Sequence, residues 1–124
     1  MNLVDSCGWL EFFAEGPNAE CFVEPLLKPE DLLVPSITLF EVFKVVLRQR
    51  GEDAALQAVA AMRQGRVMDL TEVISIFAAK LSSDLKLPMA DSIIYATGQL
   101  EGAVIWTQDD HFAKLSGVRY FLAK

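Results

Sequence analysis

Short apolar runs, each closed by a residue able to start a helix, constrain this chain most. Residues 2–5, 32–34, 67–70 and 103–107 read as strands, and 118–122 as a last one. Between them lie helix-like stretches at 6–14, 19–27, 37–49, 53–63, 72–85 and 89–101, with a short turn of helix near 110–114. Gly16-Pro17-Asn18, Lys28-Pro29-Glu30, Gly51, Gly65 and Gly102 supply the breaks. Ser36 is the expected N-cap of the helix at 37–49, Thr71 that of the helix at 72–85, and Pro88 opens the helix ending at Glu101. Brief apolar strands alternating with helices predict a parallel sheet covered on both faces. The expected class is therefore α/β, a three-layer α/β/α sandwich with a central, mainly parallel sheet. A length of 124 residues predicts one domain spanning 1–124.

In such sheets ligands collect beyond the carboxyl ends of the strands. Four acids are predicted there. Asp5 and Asp109 follow two strands, Glu41 lies in the first turns of the helix leaving a third, and Asp91 begins a helix running back into the fourth. That last placement requires the preceding helix, 72–85, to cross obliquely, because two helices join one pair of strands. Each acid also has a plainer explanation. Asp5 and Asp109 can cap the helices that follow them, and Asp91 suits the positive end of a helix. Glu41 falls on a polar stripe with Thr38, Lys44 and Arg48 that can simply face water. These explanations are independent, whereas a shared pocket accounts for all four acids. Clustered carboxylates repel one another, which raises their pKa values, and Mg²⁺ or Mn²⁺ relieves that repulsion with oxygen ligands.

The formal net charge is −6, with an isoelectric point near 4.7. That disfavours broad adhesion to polyanions. A local strip formed by Arg48, Arg50, Arg63 and Arg66 can still hold phosphates. Hydrophobic residues make up 52% of the chain, and a mean hydropathy of +0.30 suggests surplus apolar surface and hence self-association or a partner. No apolar run approaches the roughly 18 residues of a spanning helix, and no basic region precedes the first apolar residues, so a cytoplasmic protein without membrane contact is expected. Cys7 and Cys21 are expected to be reduced and to pack as small hydrophobes. Trp9, Phe12 and Phe13 are expected in the core. His111, the only histidine, is expected at the surface or as a capping residue, and its solitude argues against acid–base catalysis by paired histidines.

The order and surroundings of the acids resemble those of PIN-domain ribonucleases, and most of all the toxins of VapBC toxin–antitoxin modules. Leu3-Val4-Asp5-Ser6 resembles the family's first acid after strand one. Pro35-Ser36-Ile37-Thr38-Leu39-Phe40-Glu41-Val42 resembles its second-acid helix, and Pro88-Met89-Ala90-Asp91-Ser92-Ile93-Ile94-Tyr95-Ala96-Thr97 its third. Ala103-Val104-Ile105-Trp106-Thr107-Gln108-Asp109-Asp110-His111-Phe112 resembles the closing Thr-x-Asp-x-x-Phe segment. The resemblance implies a Mg²⁺- or Mn²⁺-dependent endoribonuclease, with Asp5, Glu41, Asp91 and Asp109 as catalytic metal ligands and Ser6 and Thr107 as supporting hydroxyls. It implies water attack on a phosphodiester of single-stranded or structured RNA, and a cognate antitoxin protein as partner. Asp110 occupies a variable position of the motif. Lys44 and Arg48 are candidates for leading RNA towards Glu41. The apolar surplus fits a homodimer and a groove for an antitoxin helix. Two other readings are a phosphoacceptor receiver-like domain using Asp5, Asp69 and Thr107, and a catalytically inactive PIN-like binding module.

Overall fold

The computed structural model describes residues 1–124. Five strands, β1 (Asn2–Val4), β2 (Leu32–Pro35), β3 (Arg66–Met68), β4 (Val104–Thr107) and β5 (Val118–Tyr120), form one sheet in the order β3-β2-β1-β4-β5. Every neighbouring pair is parallel. The helices are α1 (Ser6–Phe13), α2 (Val23–Leu26), α3 (Ser36–Arg50), α4 (Glu52–Met62), α5 (Glu72–Leu85) and α6 (Met89–Glu101). This is the three-layer α/β/α arrangement expected. Period-two alternation splits the central strands β1, β2 and β4 between two cores. Val4, Leu32, Val34 and Trp106 face α1, α3 and α4. Leu3, Leu33 and Ile105 face α6 together with Phe112. No helix is long and apolar enough to cross a membrane.

The sheet order has a functional corollary. From β1 the chain builds outward to β2 and β3, then returns to place β4 on the other side of β1. The β1–β4 boundary is thus the topological switch point, where crevices open in parallel sheets. A receiver-type sheet has the order 2-1-3-4-5 instead, and Asp69, which that reading requires, is exposed. The receiver-like alternative is therefore wrong.

Two glycines permit close approaches on which this geometry depends. A Cβ on Gly8 would stand 2.6 Å from Val4 Cγ1 and 2.8 Å from the Phe22 ring, so α1 lies tightly on β1. A Cβ on Gly65 would stand 2.9 Å from Val34 Cγ2 and 3.0 Å from the Leu32 carbonyl oxygen. The chain therefore meets β2 immediately after Gly65, and pairing begins at Arg66. Residues 69 and 70, expected in this strand, lie beyond it.

Other expectations need correction. The segment expected as one helix over 19–27 is a 3₁₀ turn, Ala19–Phe22, followed by α2. Ser36 is not the N-cap of α3. Pro35 holds that position in an extended conformation, and Ser36 is already helical. Thr38 does not belong to a solvent stripe, since it is buried and its hydroxyl donates to the Pro35 carbonyl at 2.7 Å. Thr71 does cap α5, accepting from the Ile74 amide at 3.1 Å. Helix α5 packs chiefly on α6 through Ile74, Ala78, Ile93 and Ala96. It leaves α6 to lie against the sheet, with its first turn at the carboxyl edge. The basic strip is incomplete, because Arg66 pairs with Glu101 at 3.0 Å.

Candidate active site

The site is assembled from four chain segments. Asp5 directly follows β1, and its amide donates to the Trp106 carbonyl at 3.0 Å, extending the β1–β4 ladder to the sheet edge. Its carboxylate is almost wholly buried, at 3% exposure, and is held by three donors. Oδ1 accepts from the Ser6 amide at 2.7 Å, so Asp5 is also the N-cap of α1. Oδ2 accepts from the Thr107 hydroxyl at 2.9 Å and from the Cys7 thiol at 3.3 Å. Burial outweighs these neutral donors and raises the Asp5 pKa from 3.8 to about 6. Burial likewise pushes the Cys7 thiol up to about 12, so it stays protonated.

Thr107 links two acids. Its hydroxyl donates to Asp5 and accepts from the Asp109 amide at 2.9 Å. Asp109 in turn caps the 3₁₀ turn Asp110–Phe112, with Oδ1 accepting from the His111 amide at 3.0 Å. Phe112 is fully buried and anchors this turn in the α6-side core. Asp91 lies in the first turn of α6, facing Asp109. Its pKa is raised, first by burial and then by the Asp109 charge. Glu41 accepts a short hydrogen bond from the Ser6 hydroxyl and adds to the field at Asp91. Asp110 is exposed.

The four acids thus share one edge, but not equally. Ligand atoms of Asp91, Asp109 and His111 all lie within 4.8 Å of one another. Asp5 and Glu41 stand outside that trio and reach it through Coulombic coupling to Asp91. No Lys or Arg pairs with any of the four. Lys44 instead lies over the Phe40 ring, 5.8 Å from its centroid, and Arg48 is exposed.

Two residues here escaped the sequence reading. Cys7 is a hydrogen-bonding partner of Asp5 and Thr107, not merely a small hydrophobe. His111 is at the surface as expected, but its Nδ1 lies 2.8 Å from Asp91 Oδ2 and 3.2 Å from Asp109 Oδ1. The hydrogen bond to Asp91, and then the Asp109 charge, raise its pKa. The spacing Asp-x-His on a tight turn was the available signal. The donor set suits a divalent cation: oxygen-rich, negatively charged and lacking a basic partner other than one imidazole.

Comparison with known proteins agrees with this fold. The PIN domain family model matches residues 3–118. No curated protein matches the sequence. Among solved structures, the chain is similar to a toxin–antitoxin complex from Klebsiella pneumoniae, at 23% identity over 96% of each chain with a TM-score of 0.82. It is also similar to Mycobacterium tuberculosis VapC20, a Sarcin-Ricin loop cleaving toxin, at 19% identity over 94% of this chain and 95% of that one, with a TM-score of 0.77. A DNA-bound VapBC from Salmonella typhimurium shares 17% identity over 98% of each chain, with a TM-score of 0.74. With the family model spanning nearly its whole length, this chain belongs to the PIN-domain family.

Proposed function

We propose that residues 1–124 act as one PIN domain with metal-dependent endoribonuclease activity, the toxin of a type II toxin–antitoxin pair. The observation that carries this reading is the acidic edge itself. Asp5, Glu41, Asp91 and Asp109 converge at the switch point with no Lys or Arg to neutralise them. Keeping repelling, partly buried carboxylates together lowers stability unless a ligand recovers the cost. An inactive binding module would have no use for such a set.

Asp91 and Asp109 would hold Mg²⁺ or Mn²⁺ directly, with Asp5 and Glu41 completing the site. A bound ion of this kind supplies Lewis acidity towards a phosphodiester and a lowered pKa for water. Thr107 keeps Asp5 and Asp109 in register by bridging them. Ser6 aims Glu41 into the crevice. Burial of Asp5 among neutral donors preserves an unneutralised charge at the floor. The reaction is in-line attack by water on an RNA phosphodiester, leaving a 3′-hydroxyl and a 5′-phosphate. Lys44 and Arg48 extend from Glu41 along α3 and supply phosphate contacts.

A groove of about 580 Å³ between α1, α3 and α4 presents Leu10, Phe13, Val45, Val46, Ala54 and Ala58, and is lined at one point by Cys7, the thiol that donates to Asp5. Its apolar lining supports an antitoxin helix as occupant. Val73, Ile76 and Met89, each at least 66% exposed on α5 and α6, support self-association into a homodimer. The setting proposed is the cytoplasm. Digestion of labelled single-stranded RNA and of a ribosomal hairpin by antitoxin-free protein tests the central claim. Cleavage with Mg²⁺ or Mn²⁺ that stops on adding EDTA is expected. Undiminished cleavage in EDTA, traced to this chain, sinks the mechanism.

A further inference from the structure

His111 faces Asp91 and Asp109, whose ligand atoms lie within 4.8 Å of each other, and its placement is not accidental to the turn. Its own amide donates to Asp109 Oδ1 while its ring nitrogen reaches the same oxygen. Backbone and ring are thereby tied to one carboxylate. The buried Phe112 side chain fixes the next residue of the turn. The ring is 53% exposed, so an ion pair there would contribute little stability by itself.

The spacing matches a different use. In a six-coordinate ion with bonds of about 2.1 Å, adjacent donors stand about 3.0 Å apart. The Nδ1 distances of 2.8 Å to Asp91 Oδ2 and 3.2 Å to Asp109 Oδ1 bracket that value. Resting on the nuclease reading above, we propose that His111 Nδ1 is a direct ligand of the divalent ion, alongside Asp91 and Asp109. An imidazole nitrogen then biases the site against Mg²⁺, which keeps to oxygen donors, and towards Mn²⁺ and later first-row ions. A ligating imidazole nitrogen must be unprotonated, so a proton on Nδ1 would pass to solvent when the ion binds. Nε2 is left to face solvent or substrate.

The chain has one histidine, so any histidine signal belongs to this residue. Tag-free, metal-free full-length protein is loaded with Mn²⁺ and examined by electron spin echo envelope modulation. Modulation from a directly bound ¹⁴N is expected, changing to the ¹⁵N pattern when histidine alone is labelled and vanishing in His111→Gln. In Mg²⁺ competition, the Mg²⁺ needed to displace half the Mn²⁺ should fall about tenfold in His111→Gln. Bound Mn²⁺ without nitrogen modulation in the unsubstituted protein overturns the ligand assignment and leaves the nuclease reading intact. Failure of that protein to bind Mn²⁺ at all, joined to absence of metal-dependent RNA cleavage, overturns both.

Discussion

Asp5 and Asp109 meet at one sheet edge, yet they are held by opposite kinds of partner. Around Asp5 every donor is neutral: an amide, a hydroxyl and a thiol. Around Asp109 and Asp91 stands a histidine that can carry charge and remains in contact with water. The inner acid is therefore fixed in place but left electrostatically unsatisfied. The outer pair is satisfied by a group that can leave or stay as ligand. A pocket built this way would keep its shape on the inside and, on the proposed function, admit a cation from the outside. Thr107 is the bridge between the two limbs.

The sharpest way to break this division is to neutralise the outer limb. Asp109→Asn retains shape and the cap but removes the charge, and should reduce RNA cleavage by about three powers of ten, or about 4 kcal/mol of transition-state stabilisation. The exposed neighbour, Asp110→Asn, should lose less than about tenfold. Single-turnover rates at saturating Mg²⁺ measure both, and the reverse ranking would show that the wrong neighbour had been placed in the pocket.

Neutralising the inner limb should act on stability with the opposite sign. The Asp5 pKa lies at 3.8 without perturbation and at about 6 in the fold. Its protonated form therefore favours folding below the unfolded value, and that contribution is lost as pH rises through about 6. At about 1.4 kcal/mol per unit, the loss is roughly 3 kcal/mol at most. Asp5→Asn should be more stable than the parent at pH 7 in EDTA, with the difference shrinking from pH 6 towards pH 4. Urea unfolding across that range checks it. A difference independent of pH would mean that burial does not set the Asp5 titration.

Cutting the bridge tests whether the limbs cooperate. Thr107→Val leaves Asp5 Oδ2 and the Asp109 amide each short of a partner, at roughly 1–3 kcal/mol of stability. The rate should fall about thirtyfold, with Mn²⁺ affinity falling in parallel, because both carboxylates lose their registration. Loss of stability with unchanged metal affinity would confine Thr107 to a packing role. The smallest effect is expected at the thiol. Cys7→Ser should stay within about threefold of the parent rate, since a hydroxyl also donates to Asp5.

Much of this arrangement was legible in the residues. Leu3 and Val4 face opposite cores, as an apolar strand of a doubly covered sheet requires, and Asp91 begins a helix whose two ends were readable from Pro88 and Gly102. What escaped was set by contacts distant in sequence. Cys7 looks apolar until the fold brings Thr107 to it. Thr38 looks solvent-facing until the Pro35 carbonyl is seen within reach of its hydroxyl. Periodicity also cannot show that Gly65 brings the chain against β2 and so shifts the start of β3. The strand order, which sets the crevice between β1 and β4, depends on crossovers that no local pattern encodes.

Gly8 carries no functional group, yet an engineer would have to leave it alone. Replacing an interior helical glycine with alanine is a standard route to a sturdier protein, often gaining about 0.4–1 kcal/mol. Here the added methyl would collide with Val4 and Phe22 and lift the first turn of α1 off the sheet. Ser6 and Cys7 ride on that turn, so Glu41 and Asp5 would lose their aim together. Thermostabilising substitutions chosen from helix statistics alone would disarm the molecule here, without touching one of its acids.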